Sequence, residues 1–183
     1  MSVRRYATIG AAVAVLAAVA VGLGGGLAAG SSHGDDALDQ VREATSKFRN
    51  VERALDGGYV QFFGCVHEPL AGSMGIHFVN GELAGDTVVD ASTPEAVLYE
   101  VRANGKLELV GVEYIVFQAA WDAEHGAPPE LFGEPFNLVA EPNRFGIPAF
   151  YELHAWAWKK NPTGPHQDWN PQVLCAGTAG HTH

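Results

Sequence analysis

The chain has 183 residues, 47% of them hydrophobic, with 21 acidic against 11 basic side chains and a formal charge of −10. That balance excludes nucleic acid and anionic lipid surfaces, which are bound by an excess of Lys and Arg. Cations or water suit such a surface better, and the identity of any small-molecule or protein partner stays open.

Arg4 and Arg5 precede an uncharged apolar run from Ile9 to about Leu23, followed by the small residues Gly26, Ala28, Ala29 and Gly30. This layout predicts a signal peptide over residues 1–30, and hence a secreted, cell-envelope or periplasmic protein with no stable membrane insertion after cleavage. The Arg4–Arg5 pair also fits a twin-arginine signal, although paired arginines are common in ordinary ones. The rival is a retained anchor, which needs about 20 apolar residues and finds them only by counting the glycine-rich Gly22–Gly26 stretch. Removing the segment takes away Arg4 and Arg5 and no carboxylate, so the remainder is still more acidic. About 150 residues then remain, an ordinary size for one domain.

Residues 31–36 read as a polar linker and 37–176 as a single α+β domain. Leu38, Val41, Thr45, Phe48, Val51 and Leu55 recur at helical spacing, predicting one amphipathic helix from about Asp35 to Asp56, stopped by Gly57–Gly58 and laid on a sheet. Five strands follow by their β-branched and aromatic content: Tyr59–Phe63, Gly75–Val79, Ala96–Arg102, Leu107–Phe117 and Phe150–Lys159, with Ser92–Glu95 as a turn or cap. Asn104–Gly105 predicts a tight hairpin between the third and fourth strands. No helical segment of crossover length separates the strands between Tyr59 and Phe117, which favours a mainly antiparallel curved sheet or half-barrel over a doubly wound fold.

The stretch Gln118–Pro148 carries Pro128, Pro129, Pro135, Pro142 and Pro148 among Trp121, Phe132, Phe136 and Phe145, and begins with a short helix near Ala119–Glu124. So long a connection either covers a sheet edge or acts as a lid. The residues 177–183 read as a flexible tail, in which His181 and His183 are available for adventitious metal. Cys65 and Cys175 are the only cysteines, and an oxidising compartment makes a disulfide between them the first expectation. Closing so long a loop is worth on the order of 4–5 kcal/mol in the chain-entropy picture. Thiolate chemistry is the alternative.

Three strands contain ionisable residues in otherwise apolar settings: His77 after Gly75–Ile76, Glu113 after Gly111–Val112, and Glu152 with His154 around Leu153. Alternation puts Glu113 on a face with Gly111, Ile115 and Phe117, and puts Glu152 and His154 on a face with Phe150, Trp156 and Trp158. Two histidines and a carboxylate converging inside a sheet suit a divalent transition metal such as Zn, Fe, Mn or Cu, with positions left for substrate or water. Glu152 is then a fourth ligand or the acceptor that orients His154, and His67 with Glu68 a reserve pair. The competing account satisfies both histidines by hydrogen bonds that only fix the packing. Trp156, Trp158 and Trp169 are either core or the lining of an apolar or carbohydrate site.

The segments Gly64–Cys65, Ser73–Asn80, Leu109–Tyr114, Tyr151–Trp156 and Asp168–Pro171 resemble a group of small exported bacterial proteins of unknown function. The resemblance spans most of the chain after about Thr45 and implies export and a shared fold, with no activity and no site residue to carry over. Three readings of function therefore stand: an extracytoplasmic metal-holding domain built on His77, Glu113 and His154; a small secreted enzyme with Glu113 or Glu152 as a buried general base under a 118–148 lid; and an exported structural domain with no site.

Overall fold

A computed structural model describes residues 31–175. The proposed signal segment and the tail lie outside them. In chain order the elements are α1 (Ser31–Thr45), a 3₁₀ turn (Ser46–Arg49), α2 (Val51–Asp56), β1 (Val60–Gln61), β2 (Val66–Glu68), β3 (Gly72–Val79), α3 (Gly81–Ala84), β4 (Ala96–Val101), β5 (Leu107–Phe117), α4 (Gln118–Asp122), β6 (Glu130–Leu131), β7 (Glu134–Pro135), β8 (Asn137–Val139) and β9 (Phe150–Ala155). The main sheet runs β1-β3-β4-β5-β9-β8, with β2 also on β3, and every strand pairing is antiparallel. The fold is α+β with a curved, unclosed sheet, as the spacing of the strands predicts. Among the described residues no helix is long and apolar enough to cross a membrane.

The expected single helix is three pieces, and it starts at Ser31, inside the stretch read as a linker. Thr45 Oγ1 donates to the Val41 carbonyl and Ser46 Oγ to that of Glu43, while the Asn50 side chain accepts from Glu52 N and starts α2 afresh. The break shifts the apolar stripe by one residue, so Ala54 is buried and Leu55 stays 43% exposed. Gly58, at φ +84°, turns the chain out of α2.

One sheet face carries Ile76, Phe78, Val97, Tyr99, Val112, Tyr114 and Leu153, and packs against Leu38, Val41, Phe48 and Ala54 of the helical layer. Three of its tyrosines are satisfied by backbone: Tyr59 donates to Pro94 O at 2.7 Å, Tyr99 to Phe48 O at 2.6 Å and Tyr114 to Ala91 O at 2.8 Å. The main core therefore lies on the helix side, and smaller apolar clusters form around Leu98 and Val110 and around Ala96 and Ile115.

Asn104–Gly105 closes the β4–β5 hairpin, but not as a two-residue primed turn. Gly105 alone has positive φ, at +79°, and its N–H bonds Arg102 O at 2.8 Å, so the loop is a turn ending in a left-handed glycine. β9 ends at Ala155 rather than Lys159: Trp156 N bonds Pro165 O and Ala157 N folds back onto Ala155 O, so Trp158 swings to the helix side and donates to Thr45 Oγ1. The 118–148 stretch meets both expectations in part. Its β8 covers the β9 edge, while Phe145 and Ile147 pack against the opposite sheet face. Cys65 and Cys175 form a disulfide, so the thiolate alternative is set aside.

Candidate metal centre

β3, β5 and β9 bring the three expected residues together on the face away from the helices. In the β5–β9 ladder Glu113 is directly opposite His154, and in the β4–β5 ladder it is opposite Ala96, whose small side chain leaves room beside it. His77 pairs with Leu98, which in turn pairs with Gly111, so His77 sits two strands from β5 on the same face. Two glycines make this possible. Gly75, at φ +88°, bends β3 just before His77, and a Cβ there would stand 2.7 Å from Tyr99 O. A Cβ at Gly111 would stand 2.9 Å from Ala155 O and 3.2 Å from the Trp156 ring, which stacks on His154 with centroids 5.8 Å apart.

One potential ligand atom from each of His77, Glu113 and His154 lies within 4.8 Å of the others, and all three residues are buried. His77 Nε2 is 3.3 Å from Glu113 Oε2, and the two imidazole rings are perpendicular with centroids 6.1 Å apart. Neither ring nitrogen of His77 or of His154 makes a hydrogen bond of acceptable geometry. The closest carboxyl contacts are Glu113 for His77 and Asp168 for His154, at 3.3 and 3.8 Å. Buried imidazole nitrogens without partners are costly unless something binds them.

Burial sets the charge states. Desolvation pushes His77 and His154 down to about 3, and for His77 the neighbouring His154 adds to the effect, so both rings are neutral and hold free lone pairs. Desolvation raises Glu113 well above the usual carboxylate range and raises Glu152 too, with each influencing the other as two carboxyl groups in contact do. Neutral imidazoles thus stand beside carboxyl groups that burial biases towards their protonated form.

Glu152, on the same face as His154, forms a second group with His154 and Asp168. Asp168 Oδ1 lies 3.8 Å from His154 Nδ1 and accepts a hydrogen bond from the Asn137 amide at 3.1 Å. His67 belongs to neither group; its Nδ1 lies 3.1 Å from Ser73 Oγ, which stands beside Cys175. Sequence reasoning missed Asp168, which sits among prolines and turn residues and carries no periodic signal. It also missed Glu95, read as part of a turn. Glu95 is buried, its carboxylate accepts from Ile115 N at 2.9 Å where β5 runs on past the start of β4, and burial pushes it up to about 8. Glu100, a lone acid inside β4, is a further buried carboxylate, bound by Lys159 Nζ at 2.5 Å.

A cavity of about 290 Å³ opens onto the group. Its walls are formed by Val79, Ile115, Phe117, Phe145, Ile147 and Phe150, with Val60 and Phe62 at the rim. His77 and Glu113 are the only polar side chains lining it among the described residues. Phe145 closes one side, its ring centroid 6.4 Å from that of His77 and 5.9 Å from that of Phe150. None of Trp156, Trp158 and Trp169 lines this cavity: Trp156 donates to Gln167 O, Trp158 joins the helix-side core, and Trp169 lies under the Arg144 guanidinium.

No protein-family model, curated protein sequence or solved structure matches this chain.

Proposed function

We propose that the protein is an extracytoplasmic metal-binding domain that holds one divalent transition ion through His77, Glu113 and His154. The observation that carries this is the convergence of one nitrogen from each of two buried imidazoles with the Glu113 carboxylate, in rings whose nitrogens make no hydrogen bond of good geometry. Ligand atoms bound to one ion at about 2.0–2.2 Å stand roughly 3–4 Å apart. The His77–Glu113 edge is already at 3.3 Å, and the wider edges contract around the ion. Two imidazoles and a carboxylate suit Zn(II) and Fe(II) ahead of Mn(II), and leave at least one position for an exogenous ligand. Asp168 joins Glu152 beside His154: its Oδ1 lies 3.8 Å from Nδ1, close enough to tighten onto the ring when the other nitrogen is bound. Export, expected from the N-terminal segment, accords with the Cys65–Cys175 disulfide.

The test is zinc titration of the full-length protein purified without an affinity tag, with His181 and His183 replaced to remove adventitious binding. One equivalent should bind tightly, and His77→Ala or His154→Ala should abolish that equivalent while keeping the wild-type circular dichroism spectrum. A folded protein that takes no zinc, or the same zinc in both variants, contradicts the proposal.

The enzyme alternative shares the same residues. Glu113 lines an apolar cavity and touches Glu152, a carboxyl pair able to pass a proton, so the metal and a general base need not exclude each other.

A further inference from the structure

We propose that the cavity over the metal group binds a monocarboxylic acid with an apolar tail, its carboxylate on the ion and its tail against the aromatic and aliphatic walls. The inference rests on the metal reading and names the ligand class of that same site.

Chemistry on the page restricts the occupant from both ends. The body must be apolar, because ten of the twelve lining residues offer only hydrocarbon or backbone. A sugar or peptide would bury hydroxyls or amides there without partners, at a cost of about 1–3 kcal/mol for each. The cavity volume, about 290 Å³, is at the small end for ligand sites, which limits the tail to a medium chain or a single aryl group.

The head is set by the floor. No lysine or arginine lines the cavity among the described residues, so the pocket alone offers an anion nothing. His77 and Glu113 line it and His154 and Asp168 do not, so an ion held by the group would lie at the cavity floor. Glu152 and Asp168 stand near the group but do not line the cavity, so a carboxylate entering from the cavity is the anion placed to reach an open position on the ion. Val60 and Phe62, 59% and 45% exposed, keep the rim apolar and open to an incoming chain.

Isothermal calorimetry with octanoate, acetate and octan-1-ol against zinc-loaded and zinc-free protein tests the inference. Octanoate should bind the zinc form on the order of 100-fold or more tighter than acetate, since each buried methylene is worth about fourfold. It should also bind at least about tenfold tighter than octan-1-ol, and lose most of its affinity when zinc is removed. Ile147→Glu, on the covering loop, should keep one equivalent of zinc and lose octanoate. Stoichiometric zinc with octanoate no tighter than acetate overturns the inference and leaves the metal reading intact, as does octanoate binding that ignores zinc or survives Ile147→Glu. Failure to take up zinc at all sinks both together.

Discussion

Glu113 and His154 are partners in the β5–β9 ladder, opposite one another on the face away from the helical layer. Strand pairing thus holds two unlike titratable groups together by backbone geometry, and His77 completes the set from β3 with Nε2 3.3 Å from the Glu113 carboxylate. Sheet register, rather than loop conformation, sets the spacing.

Metal should stabilise the fold, and the carboxylate should decide by how much. Free zinc at 100 times its dissociation constant contributes about 2.7 kcal/mol. Differential scanning fluorimetry should register this as a rise in Tm of several degrees for wild type and none for Glu113→Gln. In the metal-free state Glu113→Gln should be no less stable than wild type, because it removes one member of a buried carboxyl pair.

Asp168→Asn should weaken zinc binding about 10- to 100-fold without changing the number of ions bound at saturation. The isosteric amide keeps an oxygen for Asn137, so the loop stays in place while the charge facing His154 Nδ1 is lost. Competition titration against a chelator measures the change. An affinity equal to wild type would remove Asp168 from the site.

Gly111→Ala puts a methyl group against Ala155 O and the Trp156 ring. Overpacking of this kind costs about 1–3 kcal/mol. Because Trp156 stacks on His154, zinc affinity should fall along with stability. Gly126→Ala, where an added Cβ meets no atom within 4 Å, should leave zinc affinity at the wild-type value. Urea unfolding and zinc titration of both variants make the comparison.

Glu95 supplies a pH dependence of its own. Its folded-state value is about 8 against an ordinary 4.5, raised first by burial and further by Asp86 and Asp90, with Tyr59 and Tyr114 also facing it. A carboxyl group raised on folding holds more protons in the native state, so its contribution is full below the ordinary value and is lost as pH climbs through about 8. Metal-free protein should therefore lose stability in urea between about pH 5 and 9, and Glu95→Gln, which keeps the acceptor for Ile115 N, should flatten that loss. An unchanged slope would show that Glu95 is ionised in the folded protein.

His77, Glu113 and His154 were legible because each is a lone polar residue in a strand whose alternation fixes its face. The antiparallel sheet was legible for the same reason, with Asn104–Gly105 marking the hairpin. What alternation cannot carry is irregular backbone. Asp168 reaches His154 only through the turns that follow Asn161, and Glu95 meets Ile115 N only because β5 outruns β4. The helix broke at Asn50 because side-chain hydrogen bonds from Thr45 and Ser46 compete with helical ones, a local contest that an intact apolar stripe conceals. Trp158 left the expected face for a similar reason, since β9 folds back at Ala155–Ala157 to satisfy backbone donors.

Anomalous scattering at the zinc edge from crystals of the zinc-loaded protein is the most direct measurement. One strong peak is predicted about 2.0–2.2 Å from a nitrogen of His77, a nitrogen of His154 and a carboxylate oxygen of Glu113. A peak confined to His67, His181 or His183, or none at full occupancy of zinc in solution, would contradict the account.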